Sequence, residues 1–332
     1  MLLLPLKIKK LNIIDMNRKT FLHQTGMLAA AGMLYPRLSR AAGFIMPKIS
    51  DAIGLQLYTV GGLMEADTKG TLQKLAAIGY KNLESAGGQK GLYYGYKPKE
   101  FASMVKDMGM TWRSEHVGGV PFTLPTLMKL ATNAKDSAQI QKYAPMIERM
   151  PKLANLQDNA QQLADEAAEG GLEYLVCAAI PTKTMDDVKI AVDVFGKAGE
   201  ACKKAGVQFA FHNHSFEFVP INGVLPYDYI MANTDKDMVK SEVDLGWATV
   251  AGQNPLEMFK KYHGRIPLWH VKDMDKTTKE PAEIGSGYID FKPIFDARHT
   301  SGMKYFFIEQ DGPPKPMENV TNDYNNLKKI LS

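Results

Sequence analysis

The sequence predicts a single (β/α)₈ barrel, and three observations predict it. Short runs rich in aliphatic, aromatic and β-branched residues recur through residues 52–311. Helical stretches separate most of them, at a spacing of roughly 30 residues, the length of one βα unit. The last four runs close on a histidine or a carboxylate: His212-Asn213-His214, Asp244, His270 and Glu309. In a closed parallel barrel the strand ends meet at one mouth, where active sites are built.

The first run is AIGLQLYTV (52–60), followed by a helical TKGTLQKLAAIG (68–79). YKNLES (80–85) and TWRSEHVG (111–118) supply the second and third strands. More than 50 residues then separate His116 from Leu172, too many for one loop and one helix. SAQIQKYAPMIERM reads as an extra helix in the third βα loop, either a packing insertion or a substrate lid, and NLQDNAQQLADEAAEGG as the helix leading into the fourth strand. LEYLVCAAI (172–180), GVQFAFHNH (206–214), VKSEVDLG (239–246), IPLWHVKD (266–273) and KYFFIEQD (304–311) complete the set, with MDDVKIAVDVFGKAGEACKKAG (185–206) as the longest helix. Strands alternating with helices in this number favour a barrel over an open sheet. LYTVGGLM lacks the glycine-rich turn of a dinucleotide fold, and neither a P-loop nor a GxSxG elbow is present. Gly285 and Gly287 in IGSGYIDF are too few for nucleotide binding and read as a turn into the last helix.

Charge and cysteine usage narrow the function. The formal net charge is +4, but residues 1–41 hold seven lysines and arginines against Asp15 alone. That segment carries +6 and leaves the remainder at −2. A basic nucleic-acid-binding face is therefore not expected. Cys177 and Cys202 form no metal motif; both fit buried structural positions, and a disulfide between them has no support in the sequence. From Met16 the chain runs MNRKTFLHQTGMLAAAGML, with small residues at Ala41 and Ala42. A basic pair before a short apolar stretch reads as an export leader over residues 1–42, resembling a twin-arginine signal with Lys19 in the second place. Translation is expected from Met16 and the barrel, over residues 50–332, is expected in the periplasm. The alternative for the segment is an amphipathic helix packed on the barrel. No segment is long and apolar enough for a stable membrane span.

Histidine and carboxylate side chains gathered without cysteines are the donor set of a divalent metal. An acidic residue that ends an apolar strand, as Glu309 does after YFFI, needs a partner or a metal. Asp244 could instead cap the helix that follows it. Glu84 closes the second strand, and Glu115 and His116 close the third. Neighbouring strand positions face opposite ways, so one of these two reaches the mouth, and His116 is expected there. Glu115 is kept as a candidate substrate contact, with Lys272 and Trp247. Glu217 is expected to pin a loop by accepting backbone hydrogen bonds.

Six segments stand in family order: GYKNLESAGG (79–88), FHNHSFEF (211–218), EVDLGWATVAGQNP (242–255), HVKDMD (270–275), IGSGYIDF (284–291) and FIEQD (307–311). In them the chain resembles the xylose isomerase-like (AP endonuclease 2-like) barrels, a family of sugar isomerases, epimerases and sugar phosphate isomerase homologues. The resemblance covers residues 50–330. It implies a mouth-bound Mn²⁺, Co²⁺, Mg²⁺ or Zn²⁺ held by Asp244, His270 and Glu309. The fifth-strand ligand of the family is commonly a glutamate; His212 stands in its place here. We read His212 as the substitute ligand and His214 as a substrate contact. The resemblance also implies a substrate contact at His116. The change from glutamate to His212 removes one carboxylate base, which argues against a two-base epimerase. Glu309 is the expected base, Glu84 or Glu115 its stand-in, and His116 or His214 a proton shuttle. The expected function is a metal-dependent sugar isomerase or epimerase working through an enediolate on a small carbohydrate. Alternatives are a 3-keto-glycoside lyase or hydrolase using the same chemistry, and a non-catalytic carbohydrate-binding barrel. An abasic-site nuclease is disfavoured by the acidic body.

Overall fold

The computed structural model describes residues 48–131, 134–148 and 152–332; the leader expected over residues 1–42 lies outside the described residues. Eight parallel strands close a barrel in chain order. They are β1 (Gly54–Gln56), β2 (Asn82–Ala86), β3 (Thr111–Gly118), β4 (Tyr174–Ala179), β5 (Gln208–His212), β6 (Val239–Asp244), β7 (Leu268–Val271) and β8 (Tyr305–Ile308). Each expected strand is present, and β8 pairs back onto β1 through Gly54 and Phe307.

Alternation along the strands creates two environments. One parity faces the helices: Leu83, Leu175, Phe209, Val243, Trp269 and Phe306 belong to the large apolar core. Trp112 joins them, and a register shift just beyond it in β3 changes the parity, so that Ser114 and His116 turn to the axis. Trp269 stacks on Phe259 at 4.7 Å and meets Phe295 edge-on at 5.4 Å, anchoring β7 from outside. Removing a buried ring of this size costs about 3–5 kcal/mol. The other parity faces the barrel axis. Val176, Ala210, Leu268 and Phe307 form a small apolar floor there, and every inward position above that floor in β5–β8 is polar.

Helix ends follow their sequence signals. Thr184 and Asp187 form a reciprocal capping box at the start of Met185–Ala205, and Gly206 ends that helix with φ 79°. The single extra helix expected after β3 is instead three short ones, Leu124–Leu130, Ala134–Lys142 and Ala144–Ile147. Pro145 accounts for the last break, since it has no N–H to continue the preceding helix. Cys177 and Cys202 are buried free thiols. Among the described residues no helix is long and apolar enough to cross a membrane.

A short antiparallel pair, Asp273–Met274 with Pro281–Ala282, follows β7 and has no counterpart in the sequence reading. The Asp273 carboxylate ties this exit together. It accepts the backbone N–H groups of Met274 (2.9 Å), Gly285 (2.9 Å), Gly287 (3.1 Å) and Ile289 (3.2 Å). Gly285 has φ 84°, and a β-carbon on Gly287 would collide with the Asp273 carboxylate. The two glycines thus serve a turn, as expected from the sequence, but it leads into the helix Phe291–Asp296 and not into the last helix, Pro316–Ile330.

Candidate metal and catalytic centre

Parity and register place the polar side chains in two layers above the apolar floor. His212 and Asp244 are the last residues of β5 and β6, and His270 lies level with Asp244 on one side and Phe307 on the other. Glu309 stands one residue beyond β8, its N–H donating to Val271 O at 3.3 Å. Donor atoms of His212, Asp244, His270 and Glu309 all lie within 4.8 Å of one another, and all four residues are buried. Asp244 is both cap and site residue. Its Oδ1 accepts the Trp247 N–H at 2.7 Å, which starts the helix Leu245–Val250, while Oδ2 faces inward.

Lys272 is only 1% exposed. A buried ammonium needs counter-charges, and it has three: Asp244 Oδ2 at 3.0 Å, Glu309 Oε2 at 2.8 Å and Asp311 Oδ2 at 2.8 Å. The Asp244 contact is off the hydrogen-bonding direction, so it counts as charge pairing alone. The Trp247 ring lies 5.2 Å from the ammonium. Burial disfavours charge on Lys272, but Asp244, Asp311 and Glu309 outweigh it and keep the amine protonated. Burial likewise works against the Glu309 carboxylate, and Lys272 with His270 hold it ionised well below the usual range. Asp244 is pushed up to about 6 by burial, against the pull of Lys272.

The deeper layer contains a residue that the sequence reading missed. Glu242, two positions before Asp244, shares its inward face and is fully buried. His116 Nε2 lies 2.7 Å from Glu242 Oε2 and 3.2 Å from Glu84 Oε1. His270 Nε2 lies 2.6 Å from Glu84 Oε1 and 3.2 Å from Glu242 Oε2. Gln56 donates to Glu84 Oε1 at 2.8 Å. The His116 and His270 rings stack with centroids 5.1 Å apart. Burial opposes charge on both imidazoles, but Glu84 and Glu242 raise His116, and Glu242, Glu309 and Glu84 raise His270; Glu242 itself rises to about 7 through burial and the nearby Glu84.

Several expected residues fall elsewhere than anticipated. Glu84 lies beneath His270 and is fully buried, so it has no path to act as a base on a substrate. His116 turns its Nε2 to Glu242 and Glu84 instead of leaving it for a substrate. Glu115 faces the helices: Tyr93 donates to it at 3.5 Å and to Glu166 at 2.8 Å. Its place as a substrate contact is corrected by strand parity. His212 and His214, two apart, would share a face of a straight strand. The chain separates them by ending β5 at His212 and turning through Phe216–Phe218. His214 then stacks on Phe216 at 5.2 Å, and its own N–H is accepted by Glu217 Oε2 at 2.8 Å, as expected for Glu217. Burial and then Lys272 drive the His214 imidazole down to about 3, so it is neutral.

The mouth set fits a divalent cation. His212 Nδ1 is buried without a hydrogen-bond partner, and burial with the neighbouring imidazoles keeps this ring neutral, the form that binds metal. Asp244, Glu309 and Asp311 against Lys272 leave two formal negative charges, which a divalent ion balances. Nitrogen and oxygen donors without sulfur suit Zn²⁺, Co²⁺ or Mn²⁺.

The model of the xylose isomerase-like TIM barrel family matches residues 72–330. The chain belongs to that family. Among curated xylose isomerase-like relatives, the inosose dehydratase of Lacticaseibacillus casei is 28% identical over 165 residues, which are 44% of this chain and 55% of that protein. The chain thus spans about half the length of the curated relatives it matches. A sugar phosphate isomerase/epimerase structure from Parabacteroides distasonis superposes with a TM-score of 0.65 at 25% identity, covering 85% of this chain and all of that one. The IolI protein, solved with a bound zinc atom, superposes with a TM-score of 0.60 at 15% identity over 85% and 98% of the two chains. At that identity the last likeness speaks to the xylose isomerase-like fold alone. The family and its named relatives make this an enzyme-type barrel with sugar-modifying kin.

Proposed function

We propose that this protein removes the proton beside the carbonyl of a keto-polyol and expels the oxygen on the next carbon. The observation that carries the reading is the convergence of His212, Asp244, His270 and Glu309 around one point, with Lys272 paired to two of them. A divalent cation held by those four residues would polarise the substrate carbonyl and acidify the neighbouring carbon. The match to inosose dehydratases supports a cyclic keto-polyol as substrate class.

Each step has a residue. Glu309 accepts the proton as the C–H electrons become a carbon–carbon double bond. The bond to the β oxygen breaks, and the same proton leaves with that oxygen as water from the same face. What remains is an α-hydroxy enone, the enol of a vicinal diketone. Lys272 keeps Glu309 ionised before the step and offsets negative charge as it builds on oxygen. His214, held neutral on Phe216, orients a substrate hydroxyl. A glycosidic oxygen on the β carbon departs by the same electron flow, which makes a 3-keto-glycoside an equivalent substrate.

A second reading is supported by the isomerase/epimerase likeness. If Glu309 returns its proton to carbon, the product is an isomer. Epimerisation by two carboxylate bases is less well supported, because the β5 position holds the neutral His212. The test is metal-loaded protein with cyclic and open-chain keto-polyols in D₂O, followed by proton NMR. Deuterium exchange with loss of water is expected. Exchange alone would favour isomerisation, and neither with any keto-polyol would sink the reading.

A further inference from the structure

We propose that His116, Glu242, His270 and Glu84 form a second divalent-cation site, one layer below the mouth. The four donor atoms make a closed ring that alternates nitrogen and oxygen: His116 Nε2, Glu242 Oε2, His270 Nε2 and Glu84 Oε1. Its edges are 2.7, 3.2, 2.6 and 3.2 Å. Each imidazole Nε2 carries at most one hydrogen, yet each faces two carboxylate oxygens. Two hydrogens therefore serve four contacts, and the two at 3.2 Å have none. A cation at the centre would satisfy all four with lone pairs. Tetrahedral ligation at about 2.0–2.1 Å sets neighbouring donors about 3.3 Å apart, so the two 3.2 Å edges already fit and the 2.6 and 2.7 Å edges would open by roughly 0.6–0.7 Å.

Burial and unspent donors point the same way. Glu84, Glu242 and His270 are fully buried, and His116 is 8% exposed. Glu84 Oε2 and Glu242 Oε1 have no hydrogen-bond partner, and neither does His212 Nδ1, 3.3 Å from Glu242 Oε2. Each ring carboxylate thus keeps a second, unspent oxygen beside the one it would give the ion. Two buried carboxylates also require two positive charges. One divalent ion supplies both. Two imidazoles with two carboxylates select a first-row ion such as Zn²⁺ or Co²⁺ over Mg²⁺ or Ca²⁺.

The deeper ion also settles how His270 serves two layers, and in this it builds on the mouth reading. Bound through Nε2, the ring carries its proton on Nδ1 and donates it to Glu309 Oε2 at 2.8 Å. A ligating histidine ordinarily gives its other N–H to a carboxylate in this way. With Nε2 and Nδ1 both spent, His270 drops out of the four-residue mouth set proposed above, and the mouth ion keeps His212, Asp244 and Glu309 as ligands.

The test counts ions. Full-length protein stripped with a chelator is titrated with Co²⁺ and with Zn²⁺, and bound metal is measured by mass spectrometry and by the cobalt d–d absorption. Wild type should saturate at two equivalents, and Glu242→Gln and His116→Gln at one. Asp244→Asn should also fall to one, by losing the mouth ion. Saturation of the wild type at one equivalent overturns the proposal, and this needs no variant to fold. Two equivalents retained in folded Glu242→Gln overturns it as well. Two retained in Asp244→Asn would leave the deeper site standing and count against the mouth reading instead.

Discussion

Lys272 Nζ lies 2.8 Å from Glu309 Oε2, so the ammonium sits within the ring of ligand-type side chains. It shares Asp244 and Glu309 with any cation bound there. Lys272→Met should therefore tighten divalent-cation binding by about tenfold or more, roughly 1.4 kcal/mol per tenfold, while lowering turnover. Metal-free, the same variant leaves buried carboxylates uncompensated and should lose about 3–5 kcal/mol of stability. Competition with a chromophoric chelator and urea unfolding in chelator measure the two effects. Unchanged cation affinity would remove Lys272 from the ion's surroundings.

Glu309→Gln keeps the size and one oxygen donor but cannot accept a proton. Turnover should fall by about 10²–10⁴-fold, with a smaller loss of bound metal measured on the same sample. His214→Asn should raise KM and leave most of kcat. Near-normal turnover of metal-loaded Glu309→Gln would place the base elsewhere; the depth of Glu84 makes it a poor replacement.

Glu115→Gln separates strand parity from sequence proximity. Glu115 adjoins His116 but faces Tyr93 and Glu166 on the helix side. Burial, followed by Glu166, raises its carboxyl to about 8. The variant should keep turnover within about twofold and should unfold at higher urea, since it removes a buried acid. A large loss of turnover with the fold intact would mean that this side of β3 communicates with the mouth.

Asp323 gives a pH test remote from the metal ligands. Its Oδ1 accepts the Ile284 N–H at 2.7 Å, and Oδ2 is buried without a partner. Burial, then Glu283 and Asp273, push its carboxyl up to about 7. Because the folded value is raised, the unfolded chain releases this proton first. The resulting penalty is absent below about pH 4, grows as pH rises towards 7, and is constant above. Asp323→Asn should thus stabilise the protein at pH 7.5 by an amount on the order of 1–3 kcal/mol and by little at pH 4. Equal effects at both pH values in urea unfolding would show that Asp323 titrates alike in the folded and the unfolded chain.

The fold was legible because each strand is a short apolar run and most are followed by a helix with ordinary caps. Asp244, His270 and Glu309 stood out because a polar residue at the end of such a run is conspicuous. Glu242 did not. It lies within VKSEVD, where Lys240, Glu242 and Asp244 share one face, and a strand face made of charged residues reads as one in water. In a closed barrel that face is the interior, so the residues that look solvated, Glu242 and Asp244, are the buried ones. Periodicity identifies two faces but not which one is enclosed. Glu84 is a related case: nearness to a strand end gives no depth, and Glu84 lies buried against His270. The break at Pro145 is legible in the sequence, since proline has no N–H to continue a helix.

The Asp273 carboxylate fastens four main-chain amides between Met274 and Ile289. That stretch therefore inherits its shape as one cassette. In recombination among homologous barrels, crossovers outside residues 273–289 should yield folded chimaeras. Crossovers within it would part an anchor from its amides, or set a bulkier residue at Gly287 against a carboxylate with no room to yield.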